Sequence, residues 1–294
     1  MVASKVIEAG GVVYGAVLNE DMTVGHADAE DMSAVDRMRG SKYVQSDLYG
    51  TFEEVRGYLA EGRKVMFAGT PCQIAGLKSF LGKEDENLLT ADCACHGVPS
   101  PGLWEKYVKA LASAHDCPIS DIRFRDKARS WMHYDFVYAA GAEEVRMPYM
   151  KNPYMALFLQ DMNLRPSCYR CPARGGRSGS DMTLADLWNV AEAAPQLNDD
   201  KGASLVLVNT DKGRAALADV PATEVDMALA MKNNGGFAEG IAMPERRAEF
   251  FKGHHSAEDL IKYMKSFIVR KPLHEIIYRS VRSGLSALKR RIFR

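Results

Sequence analysis

Val65-Met-Phe-Ala-Gly-Thr-Pro-Cys-Gln73 and Leu88-Leu-Thr-Ala-Asp-Cys-Ala-Cys-His-Gly97 decide the fold. Each opens as a short apolar run and breaks at glycine or proline, the pattern of a buried strand ending in a turn. The spacing predicts a helix after each, over residues 74–81 and 101–114. Pro101 opens the second where a missing N–H needs no partner. Strand, turn and helix, repeated, give the rhythm of an α/β layer with a largely parallel sheet. Working outward, residues 12–18 read as another buried strand behind Gly10-Gly11. Phe52, Val55 and Leu59 mark a helix near residues 51–61. Further strands are expected at 122–125, 134–139 and 205–208, and a helix at 153–162. From Ala248 onward the chain reads as helical. The expectation is a mixed, largely parallel α/β fold with flanking helices over residues 1–245, then a helical tail over 246–294.

Composition narrows the class. Lys+Arg and Asp+Glu each number 38 in 294 residues, so no charge surplus points to nucleic acid, and none is expected as a partner. No stretch approaches the roughly 18 consecutive apolar residues that cross a bilayer. The opening lacks the layout of a secretory signal, which leads us to expect a cytoplasmic protein. In a reducing compartment six cysteines read as ligands, catalytic thiols or small buried hydrophobes rather than disulfides.

Cys168-Tyr-Arg-Cys171 has the spacing that lets two thiolates share one metal centre. It lies in a stretch, 165–180, too rich in Gly, Arg and Pro for regular structure. Backbone amides and cations there can stabilise anionic sulfur. Cys72 follows one decisive strand and Cys95 ends the other. Parallel strands deliver their C-terminal ends to one rim, where ligands bind. Cys72 and Cys95 on that rim, with the Cys168/Cys171 loop folded over it, would make a four-thiolate site. An iron–sulfur centre, zinc and a redox dithiol all remain open on spacing alone. Cys93 and Cys117 read as packing residues, one in a strand body and one before a proline.

Seven ordered motifs then carry a resemblance. They are Gly-Gly-Val-Val-Tyr-Gly-Ala (10–16), Arg-Gly-Ser-Lys-Tyr-Val-Gln-Ser (39–46), Gly-Thr-Pro-Cys-Gln-Ile-Ala-Gly-Leu (69–77) and Cys-His-Gly-Val-Pro-Ser-Pro (95–101), followed by Phe-Arg-Asp-Lys (124–127), Arg-Pro-Ser-Cys-Tyr-Arg-Cys (165–171) and Ser-Asp-Met-Thr-Leu-Ala-Asp-Leu-Trp (180–188). Over residues 5–240 the chain resembles the coenzyme F-420 hydrogenase/dehydrogenase beta subunit family. The resemblance implies an oxidoreductase with a flavin (FAD or FMN) and a 4Fe–4S cluster, the latter on Cys72, Cys95, Cys168 and Cys171. It implies a deazaflavin or nicotinamide substrate and a redox partner, either ferredoxin or another oxidoreductase subunit. Members also occur among surface-polysaccharide genes, which makes a reductase using a different donor one alternative; a metal-stabilised interaction subunit without flavin is another. The chain departs from the family pattern in lacking a ferredoxin-like segment and in beginning within the helix that precedes Gly10-Gly11. Ala185 and Asn189 also stand where many relatives have glycine.

The resemblance directs attention to further residues. Gly11 and Gly15, with Gly10, bracket a strand that carries Tyr14, and a glycine-rich strand edge can admit a phosphate or ring. Ser41, Lys42 and Tyr43 offer a hydroxyl, a cation and an aromatic face to a flavin. Thr70 and Gln73 flank Cys72, placed to hydrogen-bond a cluster or flavin. Arg125 and Lys127, with Arg123 and Arg129, form a basic segment suited to a phosphate-bearing cofactor, and Asp186 lies in the last motif. His96 reads as either a proton relay beside Cys95 or a structural histidine. The stretch 270–294 carries eight basic residues against one acid, Glu275. Such a basic amphipathic helix can lie on an anionic membrane as a peripheral contact, or pack on the domain or a partner.

Overall fold

The computed structural model describes residues 1–234, 237, 240–255 and 259–269. Six strands form the main sheet: β1 (Val12–Leu18), β2 (Val24–Ala29), β3 (Val65–Ala68), β4 (Leu88–Cys93), β8 (Met182–Asp186) and β9 (Ser204–Val208). Their order is β2-β1-β3-β4-β8-β9. The inner pairs β1/β3, β3/β4 and β4/β8 are parallel, and the edge strands β2 and β9 run antiparallel to their neighbours. A second, antiparallel sheet holds β5 (Ile119–Asp126), β6 (Asp135–Ala140) and β7 (Glu143–Pro148).

Period-two alternation sends successive residues of the inner strands to opposite faces. Val12, Tyr14, Val65 and Phe67 pack on one side, against Val55 and Leu59 of α3 (Thr51–Ala60) and Ile74 and Leu77 of α4 (Pro71–Leu81). Val13, Met66, Ala91 and Met182 pack on the other, beneath Val6 of α1 (Val2–Glu8), Val35 of α2 (Met32–Arg37) and Ala216. A separate aromatic core joins α5 (Pro101–His115) and α6 (Pro153–Leu159) to the second sheet, with Trp104, Tyr107, Phe124, Phe136 and Tyr154 fully buried. Phe250 and Met264, from short helices Arg247–Gly253 and Leu260–Ser266, close this core. The basic stretch 270–294 lies outside the described residues. Among the described residues, no helix is long and apolar enough to cross a membrane.

Buried side-chain oxygens tie the sheet together. Asp181, entering β8, accepts from the Thr90 N–H and Thr90 Oγ1 in β4, both at 2.7 Å, and from Thr210 Oγ1 at 2.7 Å. A buried carboxylate needs such donors to offset its lost hydration. The consequence is positional: β3, β4 and β8 end together on one rim.

Candidate metal and redox site

The turn after β3 feeds straight into α4. Thr70 is its N-cap and forms a capping box with Gln73. Gln73 Oε1 accepts from the Thr70 N–H at 2.8 Å and from Thr70 Oγ1 at 3.0 Å, and its amide donates to Ser46 Oγ at 2.8 Å. Thr70 and Gln73 therefore hold the turn, and Cys72 sits in the first turn of α4. Only 3.3 Å separates Thr70 Oγ1 from Cys72 Sγ. Beyond β4 the chain stays extended, with the Ala94 N–H donating to Leu184 O at 2.8 Å. It then turns at Gly97, whose φ of +138° and close approach to Leu164 and Cys168 leave no room for a Cβ. The short 3-10 turn Pro166–Arg170 brings in Cys168, and Cys171 follows it.

These three segments enclose one cavity, about 400 Å³ of empty space with its open mouth included. Cys72, Cys93, Cys95, Cys168 and Cys171 all line it, with Thr70, Gly97, Val98 and Arg174. All four cysteines expected as ligands are gathered there, and so is a fifth thiol. Cys93, expected to be a packing residue in a strand body, faces the cavity instead. The reason is register: residues two apart on an extended chain share a face, so Cys93 follows Cys95. Cys117 does pack as a small hydrophobe against the aromatic core.

The surroundings of the sulfurs are suited to negative charge. The Val98 N–H points at Cys168 Sγ across 3.4 Å, and the Gly97 N–H faces Cys95. Arg174 is buried, lines the cavity and lowers the Cys95 pKa electrostatically. Its guanidinium also donates to the carbonyls of His96, at 3.3 Å, and Cys168, at 3.4 Å. Sequence reasoning did not single out Arg174 among the arginines of this loop. Burial works against this charge at three of the thiols, Cys72, Cys95 and Cys168, whose pKa values are raised. Cys72 is exposed as a residue, yet protein packed around its sulfur raises its pKa, and Cys171 and Cys95 push the same way. Burial raises Cys168 too, opposed by the Val98 amide. For Cys95 the hydrogen bond with Cys93 comes first and burial second, and the rise is large. Among the described residues, no three His, Cys, Asp or Glu side chains converge closely enough to hold a metal ion. The thiols stand around a space, not around a point.

Next to Cys95, His96 Nε2 lies 2.6 Å from Asp161 Oδ1, and its ring edge meets Phe158. Farther along the rim, Arg125 and Asp186 meet, with Nη1 at 2.7 Å from Oδ2. The Arg125 side chain is only 9% exposed. It lies over the rings of Tyr134 and Trp188, 4.8 and 5.5 Å from their centroids. Its Nε and Nη2 are buried without a hydrogen-bond partner. Tyr43 is within electrostatic reach of this pair and packs against Phe158 and Phe124. Lys127 and Ser41 are exposed nearby in sequence.

Other expected cofactor contacts are occupied by the protein itself. A Cβ at Gly11 would come within 2.5 Å of Lys64 O and 2.7 Å of the Val6 side chain, so this glycine lets α1 and the chain before β3 close together. At Gly15 the neighbour is the flexible Met38 side chain, at 2.8 Å. Tyr14 is buried in the sheet core, its hydroxyl donating to Glu54 at 3.2 Å. Burial pulls the Lys42 pKa down to about 8, and its ammonium donates to four carbonyls at the end of α2, of which Met38 O is nearest at 2.9 Å. Asn189, where the resemblance led us to expect glycine, donates to Leu229 O at 2.7 Å.

Comparison with known proteins places this architecture. Residues 62–228 match the family described as the C terminus of the coenzyme F420 hydrogenase/dehydrogenase beta subunit. All five cavity cysteines fall inside that span. Among solved structures, a chain of the xenon-derivatised F420-reducing [NiFe] hydrogenase complex from Methanosarcina barkeri is similar at 14% identity, over 74% of this chain and 69% of that one, with a TM-score of 0.45. No curated protein matches the sequence. On the family match across the greater part of its length, the chain belongs to the coenzyme F420 hydrogenase/dehydrogenase beta-subunit family.

Proposed function

We propose that this protein is an oxidoreductase that passes electrons between a hydride-carrying cofactor, of deazaflavin or nicotinamide type, and an electron-transfer protein, using a flavin and a 4Fe–4S cluster. One observation carries the reading: cysteines from three separate segments meet around a single cavity that also holds a buried arginine. The donor set suits a polynuclear sulfur centre. Four thiolates match the four irons of a 4Fe–4S cubane, and amide donors with a nearby cation are the groups that stabilise such a cluster. Thiols spread around a space fit a group with its own volume better than a lone tetrahedral ion, whose ligands crowd to about 2.3 Å from one point. Cys72, Cys95, Cys168 and Cys171 would hold it. When bound, the flavin supplies two-electron hydride chemistry and the cluster one-electron transfer.

The remaining roles belong to the chain. The Gly97 and Val98 amides and Arg174 favour charge on sulfur, and the loops 95–98 and 165–171 shield the centre from water. Of the residues expected at a flavin, Ser41, Tyr43, Arg125, Lys127 and Asp186 remain candidates on the rim side. The unpartnered Nε and Nη2 of Arg125 could receive an anionic or carbonyl group there. Gly11, Tyr14, Gly15 and Lys42 are engaged in packing and capping, so a flavin held by this chain would rest on the first set.

Anaerobic reconstitution with iron, sulfide and flavin tests the proposal. We expect about four irons and a matching amount of sulfide per chain, with bound flavin reduced by one of the offered hydride donors. A protein that takes up one zinc, and neither sulfide nor flavin, would instead be a metal-stabilised interaction subunit.

A further inference from the structure

Five thiols line a cavity whose expected centre uses four. The fifth is not placed at random. Cys93 is the last residue of β4, Ala94 is pinned in extended conformation by Leu184 O, and Cys95 follows. The two side chains therefore leave the same face of one short, fixed piece of backbone. Both line the cavity. The other three cysteines enter from α4 and from the Pro166–Arg170 turn, and none has a second thiol two residues away.

We propose that Cys93 is an alternative ligand, able to take the place of Cys95 at the cluster without movement of the backbone. The exchange is balanced: Cys93 hands its proton to Cys95 as it assumes the ligand position, so neither net charge nor electron count changes. Both side chains open on the same cavity, so the proton passes between neighbouring thiols without leaving it. Arg174 lines the same cavity, and its charge favours a thiolate at Cys95. The site therefore keeps four thiolates if either member of the pair is lost. The same redundancy is absent at Cys72, Cys168 and Cys171.

This inference rests on the cluster reading above, and one experiment separates their failures. Wild type and the variants Cys93→Ala, Cys95→Ala, Cys72→Ala and Cys93→Ala/Cys95→Ala are reconstituted anaerobically. Iron, sulfide and visible absorbance are then measured, with thermal unfolding as the folding control. Cys93→Ala and Cys95→Ala should each keep most of the wild-type iron, whereas Cys72→Ala and the double variant should fall at least severalfold. A Cys95→Ala protein as iron-poor as Cys72→Ala overturns the alternative-ligand proposal but leaves the cluster intact as an idea. A wild type that binds no iron and sulfide removes both. Alkylation of loaded wild type, mapped by mass spectrometry, gives a readout that needs no variant. Label shared between Cys93 and Cys95 supports exchange; label on Cys93 with Cys95 fully protected defeats it.

Discussion

The rim where β3 and β4 end and the body of β1 were both expected to touch cofactors, and they are built in opposite ways. At the rim, side chains of chemical interest project past the last strand hydrogen bonds into a cavity, and the backbone is fixed behind them by a capping box and by Gly97. At β1, Gly11 just before the strand and Tyr14 within it are enclosed by α1, α3 and β3. The rim lies inside the family match and β1 outside it. A glycine at the start of a strand can therefore be demanded by the protein's own backbone as readily as by a ligand. Strand ends stay open to chemistry because nothing has to pack across them.

Four substitutions sharpen or break that contrast. The largest effect belongs to the rim: Cys168→Ala should abolish iron and sulfide uptake on reconstitution while leaving the melting temperature of the metal-free protein within a few degrees of wild type. Retention of the full iron complement would remove Cys168 from the site. Next comes Gly11→Ala, which forces a methyl group against Lys64 O and should destabilise the cofactor-free protein by about 1–3 kcal/mol, the usual range for overpacking. Chemical denaturation measures this directly, and an unchanged midpoint would mean that the close packing there is unimportant. Lys42→Met removes four carbonyl contacts from the end of α2 and should cost about 1 kcal/mol, again without any cofactor present. If stability holds and only flavin affinity falls, Lys42 is a cofactor contact after all. Gly15→Ala should change stability least, by under about 1 kcal/mol, because the Met38 thioether chain can swing aside. A loss as large as that at Gly11 would show that Met38 is locked.

Much of this was written in the sequence. Apolar runs bounded by glycine and proline locate β1, β3 and β4 closely, and Pro101 marks the start of α5. β2, with the sequence Val-Gly-His-Ala-Asp-Ala, was missed because half its residues suit water or turns as well as strands. β7 was missed for a similar reason, carrying two glutamates and an arginine as the edge of the second sheet. β8 was hidden inside a motif read for chemistry; Asp181 in that motif proves to be the hydrogen-bonded link between β4 and β8. In the site, spacing and strand ends sufficed for Cys72, Cys95, Cys168 and Cys171. Cys93 was within reach of the same logic, since its two-residue offset from Cys95 fixes a shared face. Arg174 was not, because nothing local distinguishes it from Arg170 and Arg177, and only tertiary packing buries it.

Arg174 also bears on how the site is assembled. A single guanidinium nitrogen, Nη2, donates to the main chain of two cysteine-bearing segments, at His96 and at Cys168. Two stretches far apart along the polypeptide are thus stapled together by one nitrogen. That tie does not pass through the thiols, so replacing a cysteine should leave the two loops joined.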